Sequence, residues 1–214
     1  MDITQTITLA ILQGLTEFLP VSSSAHLVIL PKFLDWPDQG LAFDVILHFA
    51  TLCSIIFYYR SSLVMLTKDF YGSIATRKTQ GESMLAWGIV LGTIPVGIVG
   101  LLFRESIELN LRSYQIVAFA TIFFGLLLGF SDWLHRFLGR SREYIRGSDI
   151  LIVGCFQALA LIPGTSRSGI TITAALLIGL SRALSIKYAF LLSIPVITLA
   201  TILQAFDLAK DTTQ

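Results

Sequence analysis

Charge is what this sequence has least of. Asp, Glu, Lys and Arg make up 14% of its 214 residues, well under the roughly 25% of a soluble domain, and they cancel to a formal +1. That balance excludes a broad basic face, so no nucleic-acid partner is expected. Cysteine is equally scarce. Cys53 and Cys155 each sit in an apolar run with no second ligand at metal spacing; they read as small core side chains and carry no information on redox compartment. Basic residues are missing from positions 1–8, where Asp2 precedes the first apolar run. A cleaved signal has the opposite pattern, and residue 1 onward is taken as mature chain.

What fills the sequence instead is apolar: 54% of residues are hydrophobic and the mean hydropathy is +0.76. Crossing a bilayer takes about 20 mostly apolar residues, and residues 41–59, 85–103, 116–134 and 188–206 each supply such a run. Unpaired backbone groups are costly in lipid and these runs are too long for barrel strands, so the expected fold is an all-α integral membrane protein with four full transmembrane helices. The connection 60–83 carries Arg60, Lys68, Arg77 and Lys78, and the connection 135–148 carries Arg136, Arg140, Arg142 and Arg146. Both are expected on the cytoplasmic side. Residues 104–115 balance Arg104 and Arg112 with Glu105 and Glu108 and belong outside.

Two further stretches are interrupted by polar and turn residues. Residues 7–30 contain Pro20, Ser22, Ser23, Ser24 and His26; residues 150–180 contain Pro163, Gly164, Ser166, Arg167, Ser168 and Gly169. Each reads as helix, break and helix, entering and leaving on one side as a re-entrant hairpin. Such a break survives at membrane depth only inside protein or against a wet cavity. The two stretches also match one another. A shift of 144 places Gln13, Leu15, Ser22 and Ser24 on Gln157, Leu159, Ser166 and Ser168, and a shift of 147 places Ala42, Phe43, Thr51, Leu52 and Ile55 on Ala189, Phe190, Thr198, Leu199 and Ile202. The expected organisation is one membrane domain with a first repeat at 1–144 and a second at 145–214. Three crossings between the broken segments make the repeat inverted, an architecture whose interrupted helices meet at the site. The first copy continues through two more crossings, so the second reads as truncated. Its open edge is expected to face lipid or another subunit, which allows a homo-oligomer.

The chemistry is expected at 13–26 and 157–171. Gln13 and Glu17 are four apart and share a helical face; a carboxylate at that depth costs about 2.5–3.5 kcal/mol on insertion scales and usually marks function. Its bland alternative is capping or pairing a buried group. Ser22 and Ser23 lie four and three residues before His26, a serine beside a base, although each serine can instead cap a helix and His26 can be a packing residue. The run Pro163-Gly164-Thr165-Ser166-Arg167-Ser168-Gly169-Ile170-Thr171 suits a phosphate. Pro and Gly open the chain, a helix N-terminus follows, Ser166 and Ser168 add hydroxyls, and Arg167 offers a planar fork with Thr171 one turn later. The structural alternative for Arg167 is an ion pair with Glu17. Asp44 and His48, four apart in a crossing, could support the site from behind but read first as packing or entrance residues. Arg182 and Lys187 read as interfacial anchors, and Trp36, Trp87 and Trp133 as interface aromatics.

These two motifs, Gln13-Gly-Leu-Thr-Glu17-Phe-Leu-Pro-Val-Ser-Ser-Ser-Ala-His26 and Pro163 through Thr171, resemble the undecaprenyl-diphosphate phosphatase family, also called bacitracin-resistance proteins, over essentially the whole chain. The resemblance implies hydrolysis of undecaprenyl diphosphate, recycling the lipid carrier of bacterial cell-wall synthesis, at a site open to the outer side of the inner membrane. It implies a divalent cation, Mg²⁺ or Ca²⁺, with Gln13 and Glu17 as metal or water-positioning pair. Ser23 and His26 are implied as nucleophile and acid/base candidates, and Ser166, Arg167 and Thr171 as diphosphate binders, beside the Ser22 and Ser168 hydroxyls. Gln13 stands where some members have a carboxylate, and members normally continue through further hydrophobic segments. The competing expectation is a transporter or flippase for a phosphorylated polyprenyl lipid, since inverted repeats with broken helices also serve alternating access.

Overall fold

The computed structural model describes residues 2–103, 106, 107, 110, 111 and 113–211. Arg104, Glu105, Glu108 and Arg112 of the expected outer connection fall outside the described residues. Among those described there is no strand, and the chain is an all-α multi-pass membrane protein. Four helices are long and apolar enough to cross a bilayer: α3 (Leu41–Tyr58), α5 (Ser83–Leu102), α6 (Tyr114–Leu138) and α9 (Arg182–Asp211). They coincide with the four expected runs.

The interrupted stretches fold as α1 (Ile3–Thr16) with α2 (Ser23–Phe33), and α7 (Gly147–Ala158), ending in one turn of 3₁₀ helix, with α8 (Arg167–Leu177). At 1.5 Å per residue, helices of 11 to 14 residues reach about 17–21 Å, too short for the roughly 30 Å of hydrocarbon. The first break places Ser22 at φ 57°, the second Gly164 at φ +93°. A Cβ on Gly164 would lie 2.3 Å from the Val117 carbonyl oxygen of α6, so only glycine fits there.

The most extensive contact is α5 on α7. It is made of small residues: a Cβ on Gly154 would lie 2.9 Å from the Gly92 carbonyl oxygen. Gln157 Nε2 donates to that same carbonyl at 3.1 Å, and the Tyr188 hydroxyl donates to the Gly88 carbonyl at 3.0 Å. Close backbone approach and interhelical hydrogen bonds replace the hydrophobic drive that lipid does not supply. Around this seam Val153, Ala174, Leu191 and Leu192 form the buried core, with α9 packed on α3, α5 and α8, and α6 covering α8.

Three expectations change. The basic connection 60–83 is mostly a helix, α4 (Arg60–Thr76), because Leu63, Leu66, Phe70 and Ser73 repeat at helical spacing and pack on α5, where Trp87 Nε1 donates to Ser73 Oγ at 3.0 Å. Trp87 is thereby a packing residue. The cysteines are exposed; in a bilayer the outer face is apolar too, so an apolar run does not place a side chain inside. Arg182 and Lys187 are paired, with Asp132 at 2.6 Å and Glu82 at 2.6 Å. These pairs, with Arg142 N–H donating to the Gly179 carbonyl at 2.9 Å, gather both basic connections at the α9 N-terminus, on one end of the molecule.

Candidate active site

The two breaks meet. Glu17, at the C-terminus of α1, and Arg167, in the first turn of α8, form an ion pair across 150 residues of sequence. Both are largely buried, with side-chain exposures of 4% and 17%. The halves are also stitched through backbone, since Ser168 Oγ donates to the Leu19 carbonyl at 3.1 Å.

Glu17 is a junction. Arg167 occupies Oε1, while Oε2 accepts from Gln13 Nε2 at 2.9 Å and from Ser23 Oγ at 2.6 Å. His48 Nε2 of α3 stands 3.7 Å from the same Oε2. The His48 ring is fixed by Nδ1, 2.8 Å from the Asp44 carbonyl; a carbonyl only accepts, so Nδ1 carries the proton. His48 is therefore at the site, where its sequence position suggested packing or an entrance. Its place four residues from Asp44 in a largely apolar span was the signal for it, and spacing alone could not choose between a supporting role at the site and packing.

A cavity of about 200 Å³ opens on this junction, lined by Glu17, Ser22, Ser23, Ser24, Thr165, Ser166 and Arg167 from the breaks, by His48, and by α9 from Val196 to Gln204. Through shared residues Val96, Leu161, Val196, Ala200 and Gln204 it continues into a groove of about 500 Å³ whose other lining residues are all apolar or glycine. Polar pocket and apolar groove together match an amphiphile with a charged head and a hydrocarbon tail.

The other expected residues are placed as follows. Ser22 Oγ is 3.4 Å from Ser24 Oγ. Ser166 caps α8, its Oγ accepting from Gly169 N–H at 3.2 Å. Ser168 and Thr171 are outside the lining, the first bound to Leu19 and the second donating to the Arg167 carbonyl at 2.9 Å. His26 lies in α2 with Nδ1 2.8 Å from the Ser22 carbonyl, outside the lining. Gln13 is fully buried, and its Oε1 has no partner among the described residues. An orphaned amide oxygen beside a carboxylate is a donor pair of the kind a hard cation takes. Among the described residues no group of three or more His, Cys, Asp and Glu converges on a metal position, so a cation held by this pair would need its remaining ligands from outside the chain.

Residues 6–214 match the family described as "Bacitracin resistance protein BacA". The chain is 58% identical over 208 residues to the undecaprenyl-diphosphatase of Ruthia magnifica subsp. Calyptogena magnifica, covering 97% of this chain and 78% of that protein. It is 54% identical over 212 residues to undecaprenyl-diphosphatase 2 of Stutzerimonas stutzeri, covering 98% and 78%. Against the undecaprenyl-diphosphatase of Campylobacter concisus it is 52% identical over 211 residues, covering 99% and 79%.

Proposed function

The chain belongs to the bacitracin resistance protein BacA family, and from that membership we propose that it hydrolyses undecaprenyl diphosphate to undecaprenyl phosphate and inorganic phosphate, returning the lipid carrier of cell-wall synthesis to use. The observation that carries this reading at the level of residues is the Glu17–Arg167 pair at the floor of a polar cavity that runs on into an apolar groove.

In this reading the diphosphate enters the cavity and takes the Arg167 fork, with the N-terminus of α8 contributing its dipole. Phosphoryl transfer asks chiefly for positioning and charge neutralisation, and a fixed guanidinium in a low-dielectric pocket supplies both. The attacking oxygen is Ser23 Oγ or a water in its place. Ser23 already donates to Glu17 Oε2, so its proton passes to that oxygen as the new bond to the terminal phosphorus forms and undecaprenyl phosphate leaves. A water then cleaves the phosphoserine to give inorganic phosphate and restore the hydroxyl, whereas an attacking water gives inorganic phosphate in one step. His26, whose Nδ1 is held by the Ser22 carbonyl, lies outside the cavity lining, so the acid/base role falls to Glu17 and His26 steadies the serine run. Ser22 and Ser166 contribute hydroxyls, with Ser168 and Thr171 supporting the loop that presents them. A Mg²⁺ or Ca²⁺ held by Glu17 and Gln13 Oε1 would supply further neutralisation of the diphosphate oxygens. The prenyl chain leaves along the apolar groove.

The site is set for the outer face of a bacterial plasma membrane. The lining of α9 lies 9 to 17 residues beyond Lys187, about 14–26 Å from the basic end, and basic connections favour the cytoplasm. The deciding experiment is phosphate release from undecaprenyl diphosphate by purified protein in detergent, expected at one phosphate per lipid. Detergent offers no second compartment, so tight binding without release would favour a lipid transporter instead.

A further inference from the structure

Threonines inside apolar helices bond back to the carbonyl one turn earlier, because a buried hydroxyl left without a partner is destabilising. Helix α9 does this at Thr198, whose Oγ1 donates to the Ile194 carbonyl at 2.7 Å. Thr93 and Thr121 do the same in α5 and α6, at 2.7 and 2.8 Å. Thr201, one turn beyond Thr198 in sequence, does not. Its Oγ1 is buried without a partner, and the residue lines the cavity. Thr165, in the break before α8 and 6% exposed, repeats the anomaly: its Oγ1 is buried and unpartnered, and the residue belongs to the same lining. Arg167 Nε is the third such atom there.

We propose that Thr165 and Thr201 are the hydroxyl donors that, with Arg167 Nε, hold the phosphate oxygens of the substrate. This rests on the reading that the cavity receives a diphosphate. Three residues with an uncommitted donor line one pocket, from the loop before α8, from α8 itself and from α9. Phosphate oxygens are acceptors only and satisfy all three at once, whereas a carbonyl-poor apolar wall satisfies none. The hydroxyls of Ser168 and Thr171, by contrast, are spent on backbone carbonyls. Two neutral donors add grip without adding charge, which leaves the balance between Glu17 and Arg167 undisturbed.

The test is a set of near-isosteric variants measured in detergent for phosphate release and thermal denaturation. Thr165→Val and Thr201→Val are each expected to lower kcat/KM about tenfold or more, the worth of a hydrogen bond to a charged acceptor. Their melting temperatures should be no lower than the parent's, since the hydroxyl removed has no protein partner. Thr201→Ser should retain activity within about threefold, and Thr198→Val should match the parent. Parental kcat/KM in both Thr165→Val and Thr201→Val would overturn the proposal, as would losses that track a lowered melting temperature and recur in Thr198→Val. Should the parent itself bind undecaprenyl diphosphate without releasing phosphate, the hydrolase reading fails separately. The donor assignment is then decided by the Kd for that lipid: weakened in the two Val variants, it stands; unchanged, it falls.

Discussion

The two hairpins carry opposite sides of one site, yet they are held by different means. In α8 eight of eleven residues are buried, among them Ile170, Ala174 and Leu176, under α6, α7 and α9. In α1 the buried residues are Gln5, Leu9, Gln13 and Thr16, while Ile3, Ile7, Ile11 and Leu15 are all more than half exposed. The arginine side is set in a packed protein core. The carboxylate side has a smaller apolar core, Leu9 against Leu27 and Leu47, and buries Gln5, Gln13 and Thr16 beside it, so the hydrogen-bonding junction at Glu17 adds to what fixes it. Helix α8 is thereby the more deeply packed of the two, and Glu17 is located by its partners as well as by packing.

The largest expected effect comes from removing the link between the sides. Arg167→Ala should lower phosphate release about 100- to 1,000-fold and, by leaving Glu17 buried alone, cost about 3–5 kcal/mol. Adding Glu17→Gln should restore part of the stability and none of the activity; additive losses in that double variant would show that the two residues do not act as a pair. The breaks themselves should respond with opposite sign. Gly164→Ala, strained at positive φ and driven into the Val117 carbonyl, should destabilise by about 1–3 kcal/mol. Ser22→Gly, which relieves a left-handed serine, should stabilise by about 1 kcal/mol, and thermal denaturation that ranked them the other way would undo the contrast between the two hairpins.

Smaller again, His48→Leu should reduce turnover about tenfold by removing a polar neighbour of Glu17 Oε2, with His48→Gln recovering most of it. Equal rates in the two would make His48 a bystander. Smallest of all, Ile11→Ala on the outward stripe of α1 should change stability by under about 0.5 kcal/mol, whereas a large loss would mean that this face is covered.

Much of this was legible in the sequence because lipid is an unforgiving solvent. Four crossings, two breaks and the one carboxylate and one arginine within them stand out against apolar runs. The α4 helix was not legible, since its charges disguised the Leu63, Leu66, Phe70 and Ser73 stripe. Side-chain direction was also hidden. Spacing alone could not show that His48 rather than His26 faces Glu17, or that Thr201 leaves its hydroxyl free while Thr171 spends its own. The cysteines mislead for a related reason: periodicity reports a face and not which face is interior when both surroundings are oily.

The Glu17–Arg167 contact spans 150 residues, and that separation is also an interval of time. Chains are synthesised at about 5–20 residues per second, so the arginine is made about 8–30 s after the carboxylate. During that wait Gln13 and Ser23 are its local companions. Partners four and six residues away need no such wait, and the order of the two motifs along the chain becomes a feature of biogenesis.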